Sequence, residues 1–156
     1  MTGTNRFIVA ATAIALLAAA GGTVAAQQAT SPDAIIVARQ AGYKHMGEAF
    51  GAMKKAIDAG SDVAPLTAQA QVVADWARQI PTMFPPGTET GHNTHAKPDI
   101  WTNRADFDQR SAALATEADK LVRLAAAGDK AGFAEQWKAT GAVCGGCHRI
   151  YRSRLE

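Results

Sequence analysis

From Ile36 onward the chain repeats a large apolar residue at every seventh position, through Tyr43, Phe50 and Ile57. Arg39, Met46 and Met53 stand three residues after the first three of these. Two positions in seven on one stripe are the seam of a helix in an antiparallel bundle. One member is out of character, because Arg39 occupies a seam position where an apolar side chain is expected. Ser31-Pro32-Asp33 opens this helix with a capping hydroxyl, a proline at the first helical position and an early acid. A second helix is predicted from about Ala64 to Ile80, with Leu66, Ala70, Val73, Ala77 and Ile80 on one face and Pro81 ending it. The stretch from Phe84-Pro85-Pro86-Gly87 to Lys97-Pro98 is too rich in Pro, Gly and Thr for regular structure. Asn103 then caps a third helix, with Asp106 at its third position, Phe107, Leu114 and Leu121 on its seam, and Gly128 as its stop. Asp129 caps a fourth, whose stripe is Phe133, Trp137, Thr140, Cys144, Cys147 and Tyr151. Alternating apolar and polar stretches do not occur, and abundant alanine favours helix. The pattern predicts an all-α fold, an up-and-down antiparallel four-helix bundle forming one domain over residues 27–156.

The start of the chain reads differently. Met1 to Arg6 carries one positive charge and no acid, Phe7 to Ala20 is apolar, and Gly21 to Ala26 is a run of mostly small residues. This order is that of a secretory signal, residues 1–26, with Val24 and Ala26 at the minus-three and minus-one positions of a cleavage after Ala26. The competing reading is an uncleaved anchor, but the apolar run is shorter than the roughly 20 residues that span a bilayer. The expectation is therefore an exported, periplasmic protein that is not integral to the membrane. Across the 156 residues, 16 Lys+Arg balance 14 Asp+Glu for a formal charge of +2. That balance argues against a nucleic-acid binder working through a basic field. Export also places a cysteine pair where it oxidises unless something consumes both thiols.

The only two cysteines lie in Cys144-Gly145-Gly146-Cys147-His148, a C-x-x-C-H run. This is the spacing for covalent attachment of c-type haem. On a helix, positions i and i+3 share a face, so both sulfurs reach one porphyrin edge. His148, four residues after Cys144, can then direct its imidazole at the iron from beneath the ring. A thioredoxin-like redox pair would need a neighbouring βαβ pattern. A zinc site needs four ligands, and His92 and His95 lie in a distant loop. A structural disulfide would put a strained short ring inside a helix. The two glycines each cost the helix about 1 kcal/mol, so cofactor contacts are expected to offset them and the apoprotein to be weakly folded.

With this motif at the end of a four-helix pattern, the chain resembles the cytochrome c-prime family and its low-spin relatives, the class II c-type cytochromes. The resemblance extends over residues 32–156. It is carried by Ala38-Arg39-Gln40, Phe84-Pro85-Pro86-Gly87, Ala96-Lys97-Pro98-Asp99-Ile100-Trp101, and Cys144 to His148 followed by Tyr151-Arg152. It implies one haem c per chain, with Cys144 and Cys147 as thioether links and His148 as the proximal iron ligand. It also implies Arg39 and Gln40 near the propionates and Arg152 by the proximal face. A buried arginine is costly unless it meets an anion, which agrees with the seam anomaly; the alternative is a surface arginine that snorkels. For Arg152 the alternative is a solvated terminal arginine. Trp101, Phe84 and Trp137 are read as core packing. Arg149, directly after the haem histidine, and His95, before Ala96, depart from the family pattern.

In the low-spin relatives a methionine stands four residues after the arginine of the Arg-Gln pair and binds the iron. Here that position is Tyr43, and a neutral phenol is a poor ligand for ferrous iron. The expectation is a five-coordinate, high-spin iron under a cap of Tyr43 and Phe50, with Met46 as the competing sixth ligand. His45 falls on another face. Two functions follow: electron transfer with unidentified exported redox partners, or a gas-binding module for nitric oxide or carbon monoxide. An enzyme is disfavoured, because the first helix carries no distal His–Arg acid–base pair. The family often forms homodimers, for which Ala68, Val72 and Trp76 on the second helix offer a face.

Overall fold

The computed structural model describes residues 31–154. The expected signal segment, its cleavage site and residues 27–30 lie outside them. Four long helices carry the fold: α1 (Pro32–Asp58), α2 (Thr67–Gln79), α3 (Arg104–Ala126) and α4 (Lys130–Tyr151). Among the described residues there is no strand, only a single antiparallel bridge between Ala96 and Arg152.

Local chemistry sets the helix ends. The Ser31 hydroxyl accepts from the Ala34 N–H at 3.2 Å, and the Asp129 carboxylate accepts from the Gly132 N–H at 2.9 Å. Each satisfies one of the donors that a helix start leaves without a partner. Gly128, at φ 67°, turns the chain out of α3, while its N–H donates to Ala125 O and that of Asp129 to Leu124 O. Only glycine adopts that backbone without strain.

Two boundaries differ from the sequence reading. The predicted second helix opens as a 3-10 turn (Ala64–Leu66), and Pro81 does not stop the chain but sits inside a second 3-10 turn (Ile80–Met83). Pro65 and Pro81 each occupy the first turn of these segments, where the missing N–H has no helical partner to lose. Asn103 holds the cap position of α3, yet its side chain makes no capping bond; its backbone carbonyl accepts from Phe107 instead. The connection from Phe84 to Pro98 is irregular as expected, and a single helical turn (Asp99–Thr102) follows it.

Sequential helices pack along their lengths, α1 on α2, α2 on α3 and α3 on α4, whereas α1 and α4 meet only sparsely. Alanines 70, 74 and 77 on α2 let α3 approach closely, and the buried Ser111 hydroxyl donates to Ala77 O at 2.6 Å. The open α1–α4 seam explains how the α1 stripe divides. Ile36, Arg39, Met46 and Met53 are buried, while Tyr43, Phe50 and Ile57 are only half-buried. On α4, Phe133, Thr140 and Tyr151 are buried, but Trp137, Cys144 and Cys147 are half-buried.

The expected dimer face is partly open, with Ala68 exposed and Val72 and Trp76 half-buried. Trp76 lies against α1, edge-on to Tyr43 with ring centroids 5.7 Å apart, and Val72 is half-buried against the core. A Cβ on Gly42 would fall 2.0 Å from the Trp76 ring. Gly42 is therefore what admits the indole between α1 and α2. Gly42→Ala is expected to destabilise the holoprotein by roughly 1–3 kcal/mol in urea unfolding. Gly51→Ala, where a Cβ meets nothing within 4 Å, should leave it unchanged or firmer. Equal effects at the two positions would refute the wedge.

Candidate cofactor site

Between α1 and α4 lies a cavity of about 650 Å³, within the ~300–1,000 Å³ of sites that enclose a sizeable ligand. Its α1 wall runs from Arg39 to Phe50 and its α4 wall from Arg152 back to Gly141, so the two walls are antiparallel. Cys144, Cys147 and His148 all line it, with Gly145 between them. Helix α4 runs unbroken through the glycine pair, which keeps the two sulfurs on one face. The thiols are not bonded to one another, and burial pushes both upward in pKa; at Cys147 the charge of Arg110 pulls back. His148 shows much of its surface to solvent, yet the surrounding chain, then the charge of Arg152, lowers its pKa. That favours the neutral imidazole, the form that ligates a metal.

At one end stands Arg39, 2% exposed, so it is not a snorkelling surface residue. Its guanidinium donates to the Thr88 hydroxyl at 2.9 Å, Thr88 O at 2.8 Å, the Thr94 hydroxyl at 2.7 Å and Met83 O at 3.4 Å, and it stacks on Phe84 with 4.5 Å to the ring centroid. Every one of these partners is uncharged. Burial lowers its pKa, but a guanidinium stays protonated in proteins, so a buried cation faces the cavity with no carboxylate bonded to it. Gln40 is exposed and donates to His92 O at 2.8 Å, beside the cavity edge that it also lines. Arg152 combines both expectations, being solvent-exposed and part of the lining. The strap from Phe84 to Thr94 is shaped by left-handed backbone at Gly87, Gly91, His92 and Asn93. Directly after it, the chain is joined to the end of α4 by Lys97 N–H to Tyr151 O and Ser153 N–H to His95 O.

At the opposite end Phe50 stacks on Trp137, centroids 4.6 Å apart, and the Trp137 indole donates to Phe50 O at 3.0 Å. Tyr43 lines the wall between these ends, held edge-on by Trp76 and tilted against Phe84. Burial raises its pKa well above the usual phenol value, so it presents a neutral hydroxyl. Met46, one turn on, is buried and also lines the cavity. His45 is exposed on another face. Phe84 is buried, and the Trp101 indole donates to Pro85 O at 3.2 Å.

The sequence reading gave no role to several residues that shape the site. Thr88 and Thr94, the partners of Arg39, come from the loop; a buried arginine in α1 was the only signal that such acceptors had to exist. Behind the cysteines, Asp106 accepts from both the Tyr151 hydroxyl and Arg110 Nε at 2.6 Å. Burial, then the bond to Asp106, pushes Tyr151 up to about 12.

No Asp or Glu lines the cavity, whereas Arg39, Lys44, His95, His148 and Arg152 do. Two thiols at helical spacing, an adjacent imidazole, apolar walls and a buried cation at one end fit a haem held by thioethers, with its propionates toward Arg39.

The family model for cytochrome c′ matches residues 34–152. Cytochrome c-556 of Agrobacterium tumefaciens (strain B2A) is 39% identical over 117 residues, covering 73% of this chain and 93% of its own. An atomic structure of a cytochrome c′ with ligand-controlled dimer dissociation is similar at a TM-score of 0.75 and 30% identity, over 80% of this chain and 98% of that one. A nitric oxide complex of a cytochrome c prime variant from Alcaligenes xylosoxidans is similar at 0.73 and 30%, over 81% and 98%.

The bonds from Arg110 and then Tyr151 hold the Asp106 carboxyl below its ordinary value of 3.8. A depressed carboxyl stabilises the fold above its unfolded pKa, and that contribution is lost as pH falls through the lower folded value. Asp106→Asn should therefore be less stable than the parent at pH 7, with the gap closing as pH drops below 3.8. Matching thermal midpoints at pH 7 would show that the cluster does not hold α3 to α4.

Proposed function

The chain belongs to the cytochrome c′ family, and from that premise we propose that it carries single electrons through a haem tethered by Cys144 and Cys147, with His148 as axial ligand. Haem c with its iron is the cofactor of the family, and a c-type haem protein is what this chain is. When bound, the haem supplies a ferric–ferrous couple. The observation that carries the reading is the convergence of Cys144, Cys147 and His148 on one acid-free cavity that ends at a buried arginine.

The chain's own residues have separable tasks. Cys144 and Cys147 fix the group to one face of α4, and His148 offers a neutral ring nitrogen. Arg39 meets a propionate with its charge while the strap holds its guanidinium in place. Gln40 and Arg152 complete the polar rim. Phe50, Phe84 and Trp137 exclude water from the walls, and that exclusion strengthens every charge interaction inside. Tyr43, neutral and wedged by Trp76, caps the distal side with Phe50, leaving the iron five-coordinate. Residues 1–26 direct the chain to the periplasm, where a protein redox partner gives or takes the electron.

A second reading has its own support. A relative of this fold is seen in complex with nitric oxide, and a capped but unligated distal side would admit nitric oxide or carbon monoxide here. Met46 lining the cavity supports a third arrangement, a six-coordinate low-spin carrier.

Cys144→Ser with Cys147→Ser is expected to leave no haem that survives denaturing electrophoresis; any that does would overturn the attachment. The ferrous spectrum of the holoprotein should be broad and change at once on adding carbon monoxide. Sharp bands indifferent to carbon monoxide would instead assign Met46 as the sixth ligand and remove the gas-binding reading.

A further inference from the structure

Gly146 sits in the middle of α4 at a cost of about 1 kcal/mol relative to alanine, and nothing inside the chain asks for it. Its backbone is helical, and a Cβ there would meet only Arg149 Nη2 at 3.8 Å and Arg110 Nη1 at 3.9 Å, ordinary contact distances. Gly145 is accounted for by the cavity it lines; Gly146 is not part of that lining. The side chain is thus missing on an outward face, at a point where two guanidinium groups converge.

Those groups are not equally satisfied. Arg110 holds Asp106 through Nε, with Nη1 turned toward Gly146. Arg149, Arg152 and Arg154 are exposed and form no ion pair among the described residues. No acid occurs in the described chain after Glu135, although the whole sequence is nearly neutral. Of the two cations that converge at Gly146, Arg149 has no counter-charge among the described residues, and a carboxylate placed beside it would relieve the repulsion from Arg110 while forming charge-assisted bonds.

We propose that the α4 surface centred on Gly146 and flanked by Arg110 and Arg149 is the docking site for an acidic face of a redox partner protein. The proposal rests on the electron-carrier reading and names the partner's chemistry. The bare backbone at Gly146 lets the partner come close to the Cys147–His148 edge, where the electron must cross. Planar guanidiniums suit the paired oxygens of Asp and Glu. A lipid surface fits less well, because membrane-lying helices insert apolar side chains. The exposed large hydrophobic residue among those described is Val37, on α1.

The test uses the reduced holoprotein and two oxidants of opposite charge, hexacyanoferrate(III) and tris(phenanthroline)cobalt(III). One electron passes from the protein to the oxidant, giving hexacyanoferrate(II) or the cobalt(II) complex. Arg149→Glu should slow oxidation by hexacyanoferrate about fivefold at low ionic strength, speed oxidation by the cobalt complex, and lose both effects near 1 M salt. Arg123→Glu makes the same charge change on another exposed, unpaired arginine, at the far end of the bundle. That end lies ~24 Å along the α4 axis from Gly146, and the substitution should change neither rate more than about twofold. Poly-L-glutamate should bind the parent and compete with hexacyanoferrate, but bind Arg149→Glu weakly. Equal effects of the two reversals would overturn the proposal, and so would binding to phosphatidylglycerol vesicles in preference to poly-L-glutamate. A parent protein oxidised by neither reagent would overturn the electron-carrier reading and the docking site with it.

Discussion

A buried guanidinium is the constraint around which this molecule is arranged. Arg39 is held in the bundle by two carbonyls, two hydroxyls and a phenyl face, all from the segment Met83 to Thr94. Removing an arginine from water is costly unless its donors find partners, so its place on the α1 seam dictates where the strap must lie. The strap in turn forms the polar end of the cavity, and the chain directly after it is sewn to the end of α4 by main-chain bonds. Because all of these partners are uncharged, the positive charge is solvated but not neutralised. The fold therefore builds in a demand for an anion, which a haem propionate would meet under the proposed function.

The rest of the cavity follows from keeping two helices apart. Small residues on α2 pull α3 in, and the Trp76 indole fills the gap over Gly42 on the other side. Between α1 and α4 the chain does the opposite. It puts a stacked Phe50–Trp137 pair at one end and the Arg39 strap at the other. Such props matter because a cleft lined with apolar residues would otherwise collapse. The Asp106–Arg110–Tyr151 cluster fixes the rotation of α4 against α3, which is what aims Cys144, Cys147 and His148 inward.

Features that depend on neighbours in sequence were legible without coordinates. The seven-residue seam of α1, the caps at Ser31 and Asp129, the reversal at Gly128 and the C-x-x-C-H face are all local. What escaped depends on contacts across the chain. Thr88 and Thr94 lie 49 and 55 residues from Arg39, and nothing in a loop threonine announces that it will solvate an arginine. Trp76 reads as an exposed aromatic until Gly42, on a different helix, is known to be its seat. The limits of α2 were misplaced because Pro65 was read as inside the helix and Pro81 as its end, whereas each lies in a 3-10 turn, which accepts proline at its start. Which side chains would be half-buried rather than buried on α1 was also invisible, since that depends on α4 standing away.

The sparse meeting of α1 and α4 has a consequence for how the molecule breathes. The α2–α3 pair packs densely, with the buried Ser111 hydroxyl bonded to Ala77 O. The walls of the cavity are united only by contacts between residues far apart in sequence, such as Arg39 with Thr94 and Phe50 with Trp137. Contacts that sparse leave little to hold the walls against partial opening. The bundle thus has a firm half and a pliant half, and the pliant half is the one that borders the cavity. A site that must be loaded once is well served by walls that part easily. Thioethers to Cys144 and Cys147 would secure the group to α4 alone and leave the closing of the α1 wall to contacts such as that of Arg39 with Thr94.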